Sequence, residues 1–389
     1  MAARRGAGYQ PSAGDLFELV RGGADTRAEL GRLTGLSRTA VAARVDHLLA
    51  KGWLVERPGE ASTGGRPAAR LEFHATGGAV LVAAVGASRS QVAVCDLAGR
   101  VVTESELRID VTLGPAAVLS AVAEELAALR RIAATEDATV RGIAVSIPGP
   151  VDRDRGCSVR APAMPGWDGV ALTDHLTLPG RPLPLVVEND VNALAVAEHR
   201  ALRDTGVEDL LLVKISTGIG AGLVSGGRLQ RGADGASGEI GHTAVRDGGG
   251  VACRCGGTGC LEAVAGGPAL IRALSGRGVT TLAGIVELAH RGDHEAVSLV
   301  RDAGRRLGEV LAGAVNLVNP GVVVLAGDLA DAFEPLVAGV REEVYRHASA
   351  SVTRRLRIEP SKLGERGGVA GCAALILERI LAARAIDTG

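Results

Sequence analysis

AVLVAAVGASRSQVAVCDLAGRVV (79–102) and DLLLVKISTGIGAGLVSGGRLQRG (209–232) are two stretches of this chain built to one plan. Each is an apolar strand, a turn of small residues, a second apolar strand and another tight turn. Around them the sequence alternates apolar strands, Gly-rich turns and Ala/Leu-rich helices, which is the pattern of an α/β fold. Two such hairpins, each followed by further strands and helices, predict two similar lobes with a cleft between them. The periodicity places helices over 115–134, 191–202, 294–317, 333–348 and 369–385. Pro115 suits a first helical turn, and Pro320 closes the long helix before the strand GVVVLAG (321–327).

The 389 residues are too many for one ordinary core, so two or three domains are expected. The chain divides near residue 75, with a helical stretch over 1–75 and the α/β part over 76–389. With 47% hydrophobic and 22% charged residues it has the profile of a soluble globular protein. Aromatic residues make up only 2%, which argues against stacking platforms for single-stranded nucleic acid. The net charge of -1 means that any nucleic-acid face must be local. No apolar run follows the basic N-terminal residues MAARRGAGYQ, and no window approaches the roughly 18 apolar residues of a membrane helix. A cytoplasmic location away from membranes is expected, where a tight cysteine cluster favours a metal site over a disulfide framework.

LFELVRGGADTRAELGRLTGLSRTAVAARVDHLLAKGWLVER begins the N-terminal part. Leu16, Leu19 and Val20 mark a first helix. Thr26 can cap a second running to about Thr34, with Leu30 and Leu33 inward, and Gly35 breaks it. Ser37 can cap a third, with Val41, Val45, Leu48 and Leu49 inward. Helix, short Gly-containing turn and capped helix is the helix-turn-helix plan. GWLVERPG and RPAARLEF then read as two short strands joined by a Gly-rich tip, a wing. Ser37, Arg38, Thr39 and Ala42, with Arg44 further along, would face a DNA major groove. Over residues 26–70, eight Arg and Lys stand against four Asp and Glu, a basic patch of the kind phosphate contacts require. A small helical domain that binds protein is the alternative.

Three further segments carry chemistry. STGIGAGLVSGG (216–227) could form an anion nest of backbone N–H groups, or simply a tight hairpin. PLVVENDVNALAVAEH (184–199) ends a strand in Glu188-Asn189-Asp190, where α/β proteins bind ligands. Asp190 could equally be only a helix cap. CRCGGTGC (253–260) supplies Cys253, Cys255 and Cys260, and His242 of SGEIGHTAV (238–246) is the natural fourth ligand for a tetrahedral Zn2+. Such a closed Cys3His site is structural. Free thiols or an iron–sulfur cluster are the alternatives. Cys95, Cys157 and Cys372 are isolated and read as ordinary buried residues.

GEIGH followed by CRCGGTGCLEAVAG, with ENDVNALAVAEH upstream, resembles the ROK family of repressors, open reading frames and sugar kinases. The N-terminal helix-turn-helix and the wing TGGRP (63–67) look like its repressor branch, which adds Gly65, Arg66 and Pro67 to the DNA contacts. The resemblance implies an actin-like, ribonuclease-H-type pair of lobes, approximately 76–190 with the C-terminal helix and 191–368. It also implies a sugar site in the cleft and a homodimer or homotetramer. By position, Gly149, Asn189, Asp190, Glu239, His242 and Glu262 match cleft residues that contact sugar. In kinase members the aspartate matching Asp190 is the general base. His242 would serve both metal and sugar.

The chain also departs from that pattern. Kinase members carry Asp-x-Gly-Gly-Thr in the first hairpin, whereas this chain has Ala84-Val85-Gly86-Ala87-Ser88. Alanine offers no oxygen to Mg2+, so ATP and Mg2+ are not expected. Ala326 replaces a usual glycine in the later nucleotide segment. Ala163 stands where kinases have Asn before their Leu-Pro-Gly-Trp, which points away from an ordinary hexose. The expected function is a sequence-specific regulator, most simply a repressor, that binds a double-stranded operator and senses a sugar or sugar derivative. An ATP-dependent sugar kinase that also binds DNA is the alternative, with Asp190 as its catalytic residue. A regulator with a degenerate cleft that binds a protein partner is a third.

Overall fold

The computed structural model describes residues 10–58, 69–134, 139–161, 164–176 and 182–388. The chain opens with α1 (Ala13–Arg21), α2 (Arg27–Thr34) and α3 (Arg38–Ala50), followed by β1 (Leu54–Arg57) and β2 (Arg70–Phe73), paired antiparallel. Each helix starts where a side-chain oxygen accepts from an otherwise orphaned N–H: Ser12 from Asp15, Thr26 from Glu29 and Ser37 from Ala40. Gly35 ends α2 at φ 73°. Leu16, Phe17, Leu30, Val41, Val45 and Leu48 fill the interior, and Phe17 meets Trp53 and Phe73 edge-on at 5.9 and 5.7 Å. Leu33, expected inward, is 49% exposed. Within α2 the inward stripe runs through Leu30, Gly31, which faces Val41, and Thr34, whose hydroxyl returns to the Leu30 carbonyl. Leu36, beyond the turn, packs on the core in its place.

Next come β3 (Ala79–Val85), β4 (Ser90–Asp96), β5 (Val101–Leu107), α4 (Pro115–Ala134), β6 (Val140–Ile147), the short hairpin β7 (Val151–Asp152) and β8 (Cys157–Ser158), β9 (Leu185–Asn189) and α5 (Asp190–Ala201). The chain continues with β10 (Leu210–Ile215), β11 (Ile219–Ser225), β12 (Arg228–Gln230), α6 (Leu261–Ala265), α7 (Gly267–Ala273), α8 (Leu282–His290), α9 (His294–Val318) and β13 (Val322–Ala326). It finishes with α10 (Phe333–His347), α11 (Ala350–Thr353), β14 (Arg357–Pro360), α12 (Gly367–Ile380) and α13 (Ala383–Thr388).

The two five-stranded sheets have the orders β5-β4-β3-β6-β9 and β12-β11-β10-β13-β14. Both therefore run third, second, first, fourth, fifth. In both, the first three strands are antiparallel and the last two join in parallel. The repeat read from the two hairpins is thus a repeat of whole sheets.

Between the sheets, α5 and α12 pack on each other. Val191, Leu194 and Ala195 of α5 join the second sheet through Leu210, Leu212 and Val224. Ala193 and Val196 join α12 and the first sheet. The approach is close enough that a Cβ on Gly371 would lie 2.0 Å from the Ala193 carbonyl oxygen. This sandwich fixes the start of α5, and hence Asp190, at the junction of the two sheets.

The helix expected over 369–385 breaks after Ile380. The reason is tertiary: α13 turns onto α1, where the Ala383 N–H donates to Glu18, Asp387 accepts from the Gly14 N–H at 2.7 Å, and Ile386 is buried. On the other side, the Arg141 guanidinium lies 4.1 Å from the Trp53 ring centre and donates to the Lys51 carbonyl at 2.6 Å. No single helix among the described residues is long and apolar enough to cross a membrane.

Candidate functional site

Asn189 ends β9 and caps α5. Its Oδ1 accepts from the N–H groups of Val191 and Asn192 at 2.9 and 3.0 Å, and its Nδ2 donates to the Gly149 carbonyl at 2.9 Å. Asp190 is therefore not the cap of α5, because the neighbouring residue takes that role. Asp190 is left to accept from Lys214 Nζ at 2.7 Å, with side-chain exposures of 15% and 29%. Burial opposes the Lys214 charge, but the attraction and hydrogen bond of Asp190 outweigh it and hold the ammonium above the ordinary lysine range. Asp190 Oδ1 also accepts from Asn189 Nδ2 at 3.3 Å, so the Asn189 amide is shared between the Gly149 carbonyl and Asp190.

Glu188 is buried. Its Oε2 accepts from Arg231 at 2.7 Å, and its Oε1 from Asn192 Nδ2 at 3.0 Å. Paired on both oxygens, it is a satisfied internal ion.

The turn after β10 presents Ser216, Thr217 and Gly218. The nest-forming N–H of Ile219 donates to Glu262 Oε2 at 3.0 Å, and Glu262 Oε1 accepts from Arg254 at 2.9 Å. One N–H of this loop is therefore satisfied by a carboxylate of the chain itself. Glu262, expected at the ligand, bridges the glycine turn to the cysteine loop. Glu239 is pushed above the usual carboxylate range by desolvation, with His242 opposing and Glu262 and Asp190 adding to the rise. The segment carrying it crosses β11 closely. Gly238 has φ 95°, its carbonyl accepts from Ala221 N–H at 2.8 Å, and a Cβ there would lie 1.8 Å from the Ala221 oxygen.

His242 stands between Glu239 and the cysteines. Its Nδ1 is 3.6 Å from Cys253 Sγ, and its Nε2 is 3.6 Å from Glu239 Oε2. Cys255 and Cys260 Sγ are 3.7 Å apart, and the four ligand atoms of His242, Cys253, Cys255 and Cys260 lie within 4.8 Å of one another. This cluster could bind a metal ion.

On α3, Ser37, Arg38 and Thr39 are exposed and Ala42 is half-buried. Arg44 departs from the expected outward pose. It turns back, with Nε donating to the Pro11 carbonyl at 2.7 Å and Nη1 to the Ala40 carbonyl at 3.0 Å, so its charge braces the start of α1. The basic patch is also partly neutralised. Arg27 pairs with Asp46 and Glu56, Arg57 with Glu72, and Arg70 with Asp25. Arg38 has no such partner among the described residues. The expected wing contacts Gly65, Arg66 and Pro67, and Ala163 of the cleft, lie outside the described residues.

Sequence reasoning missed Lys214, Arg254 and the Glu188–Arg231 pair. Lys214 carried a readable signal, since it is one of three lysines and interrupts the apolar strand DLLLVKI.

Residues 81–379 match the ROK family and residues 14–63 the MarR family. The xylose repressor of Caldicellulosiruptor bescii is 26% identical over 371 residues, covering 92% of each chain. The DNA-binding transcriptional dual regulator NagC of Escherichia coli is 29% identical over 379 residues, covering 92% of this chain and 89% of NagC. A crystal structure of a ROK family transcriptional regulator, a homolog of the E. coli MLC protein, superposes with a TM-score of 0.80 at 26% identity. It covers 97% of this chain and 98% of that one.

Proposed function

The chain belongs to the ROK family, and from that premise we propose that it is a DNA-binding transcriptional repressor of a sugar operon, released or reset by a carbohydrate in its cleft. One observation carries the reading: an N-terminal winged-helix unit with Arg38 and Thr39 exposed at the start of α3 is fused to a two-sheet cleft, and relatives named as a xylose repressor and as a DNA-binding transcriptional dual regulator match along both parts. In this reading residues 1–75 hold the operator and residues 76–389 hold the effector. The cleft groups Asp190, Glu239 and His242 take sugar hydroxyls. The protein acts in the cytoplasm as a homodimer or homotetramer whose paired α3 helices read two half-sites.

The Cys3His cluster is read as a structural zinc site. Around Zn2+ with Zn–S bonds of about 2.3 Å, a tetrahedron has edges of about 3.8 Å. The 3.6 and 3.7 Å separations agree with this. Bound zinc would fix the loop that carries Arg254 and the imidazole that faces Glu239.

The observation that favours a kinase is that Asp190 is free of capping. Its pairing with Lys214 and the bare Ala84 weigh the other way, and a coupled ADP assay over a sugar panel separates the two. The repressor reading is tested by electrophoretic shift with genomic fragments selected by the full-length protein. Arg38→Ala should weaken operator binding and lower the salt slope by about 1, as for one lost phosphate contact. Unchanged affinity and slope would remove α3 from the DNA interface.

A further inference from the structure

Lys214 is the penultimate residue of β10, and its counterpart in the other sheet is Ala84, penultimate in β3. Lys214 pairs with Gly220 on β11 and Ala326 on β13, whereas Ala84 pairs with Gln91 on β4 and Ser146 on β6. The two sheets thus carry the same position into the cleft region, one with a methyl group and the other with an ammonium. On its own strand Lys214 follows Leu210 and Leu212 on the face that packs under α5. An apolar side chain there would avoid the cost of desolvating a charge. The ammonium stands two residues before the glycine turn. It touches Asp190, and Arg89 from the opposite hairpin and Asp328 lie close enough to act on it.

Beside His242, the other ligand-facing groups are acidic. Asp190, Glu239 and Glu262 would together repel an anion, and Glu262 is already matched by Arg254. A neutral sugar needs only acceptors such as Asp190 and Glu239 for its hydroxyls. Lys214 is superfluous to that task.

We propose that Lys214 is a specificity-determining residue that selects a carbohydrate bearing an acidic group, a phosphate ester or a carboxylate, beside the hydroxyl held by Asp190. On binding, the acidic group shares the ammonium with Asp190 as a charge-assisted pair. This rests on the reading that the cleft binds carbohydrate.

The test is calorimetry on the full-length protein with glucose, glucose 6-phosphate and glucuronate, and with N-acetylglucosamine and its 6-phosphate. At least one acidic form should bind about 10-fold or more tighter than its neutral parent. The phosphate and carboxylate arms tell which group is read. Lys214→Met, matched in shape, should bring that ratio towards one, and Lys214→Arg should retain part of it, with thermal melts confirming that both variants fold. Equal binding of neutral and acidic forms by the wild-type protein overturns the proposal while leaving the carbohydrate reading intact. A preference that survives in Lys214→Met overturns it too. If no carbohydrate binds, the proposal and the carbohydrate reading fall together.

Discussion

The two sheets share strand order and direction but not chemistry. The first is spare: its first hairpin ends in Ala84 and a short turn closed by the Gly86 N–H to the Arg89 carbonyl. The second carries Lys214, the glycine turn held by Glu262, and a long excursion between β12 and β13 that contains Glu239, His242 and the cysteines. Strand order is fixed by apolar alternation and right-handed connections, which tolerate many side chains. Charge at the strand ends is free to diverge. The repeat therefore sets two like sheets side by side, and in the proposed reading their unequal strand ends select the ligand.

If the excursion on the second sheet shapes the cleft, its cluster is the place to break the asymmetry. Cys255→Ala should abolish bound zinc, measured by elemental analysis, and with it any effector response. Normal response in that variant would make the cluster a distant staple with no part in the cleft. Gly238→Ala should destabilise the same segment by more than about 3 kcal/mol, read from denaturant melts, because strain at positive φ adds to a backbone clash. A loss under about 1 kcal/mol would show that the segment can move off β11. On the first sheet, Asn189→Ala should cost about 1 kcal/mol through the lost cap. It should also loosen Gly149 and weaken ligand binding, while leaving the metal in place.

Much of this was legible in the sequence. Pro115 and the Ala/Leu periodicity marked α4 to both its ends, and Thr26, Gly35 and Ser37 bounded the helix-turn-helix, because caps and breakers act within one turn. The two hairpins announced the repeated sheets because their alternation is local. The gathering of His242 with Cys253, Cys255 and Cys260 followed from ligand chemistry and short spacing.

What escaped depended on distant partners. Asn189, and not Asp190, is the cap because Gly149, forty residues upstream, orients its amide. Arg44 is turned inward because Pro11 offers a carbonyl. The C-terminal helix broke because Glu18 and Gly14, more than 360 residues earlier, bind its second half. Leu33 was misplaced because a helix of eight residues shows too few positions to fix its inward stripe.

In the proposed reading, occupancy of the cleft changes the grip on DNA. The direct measurement is fluorescence anisotropy of a selected operator fragment with the full-length protein, repeated in the presence of each carbohydrate that calorimetry shows to bind. At least one of them should shift the operator Kd by about 5-fold or more, the lower end of ordinary allosteric coupling. An operator Kd unmoved by a saturating, bound carbohydrate would contradict it.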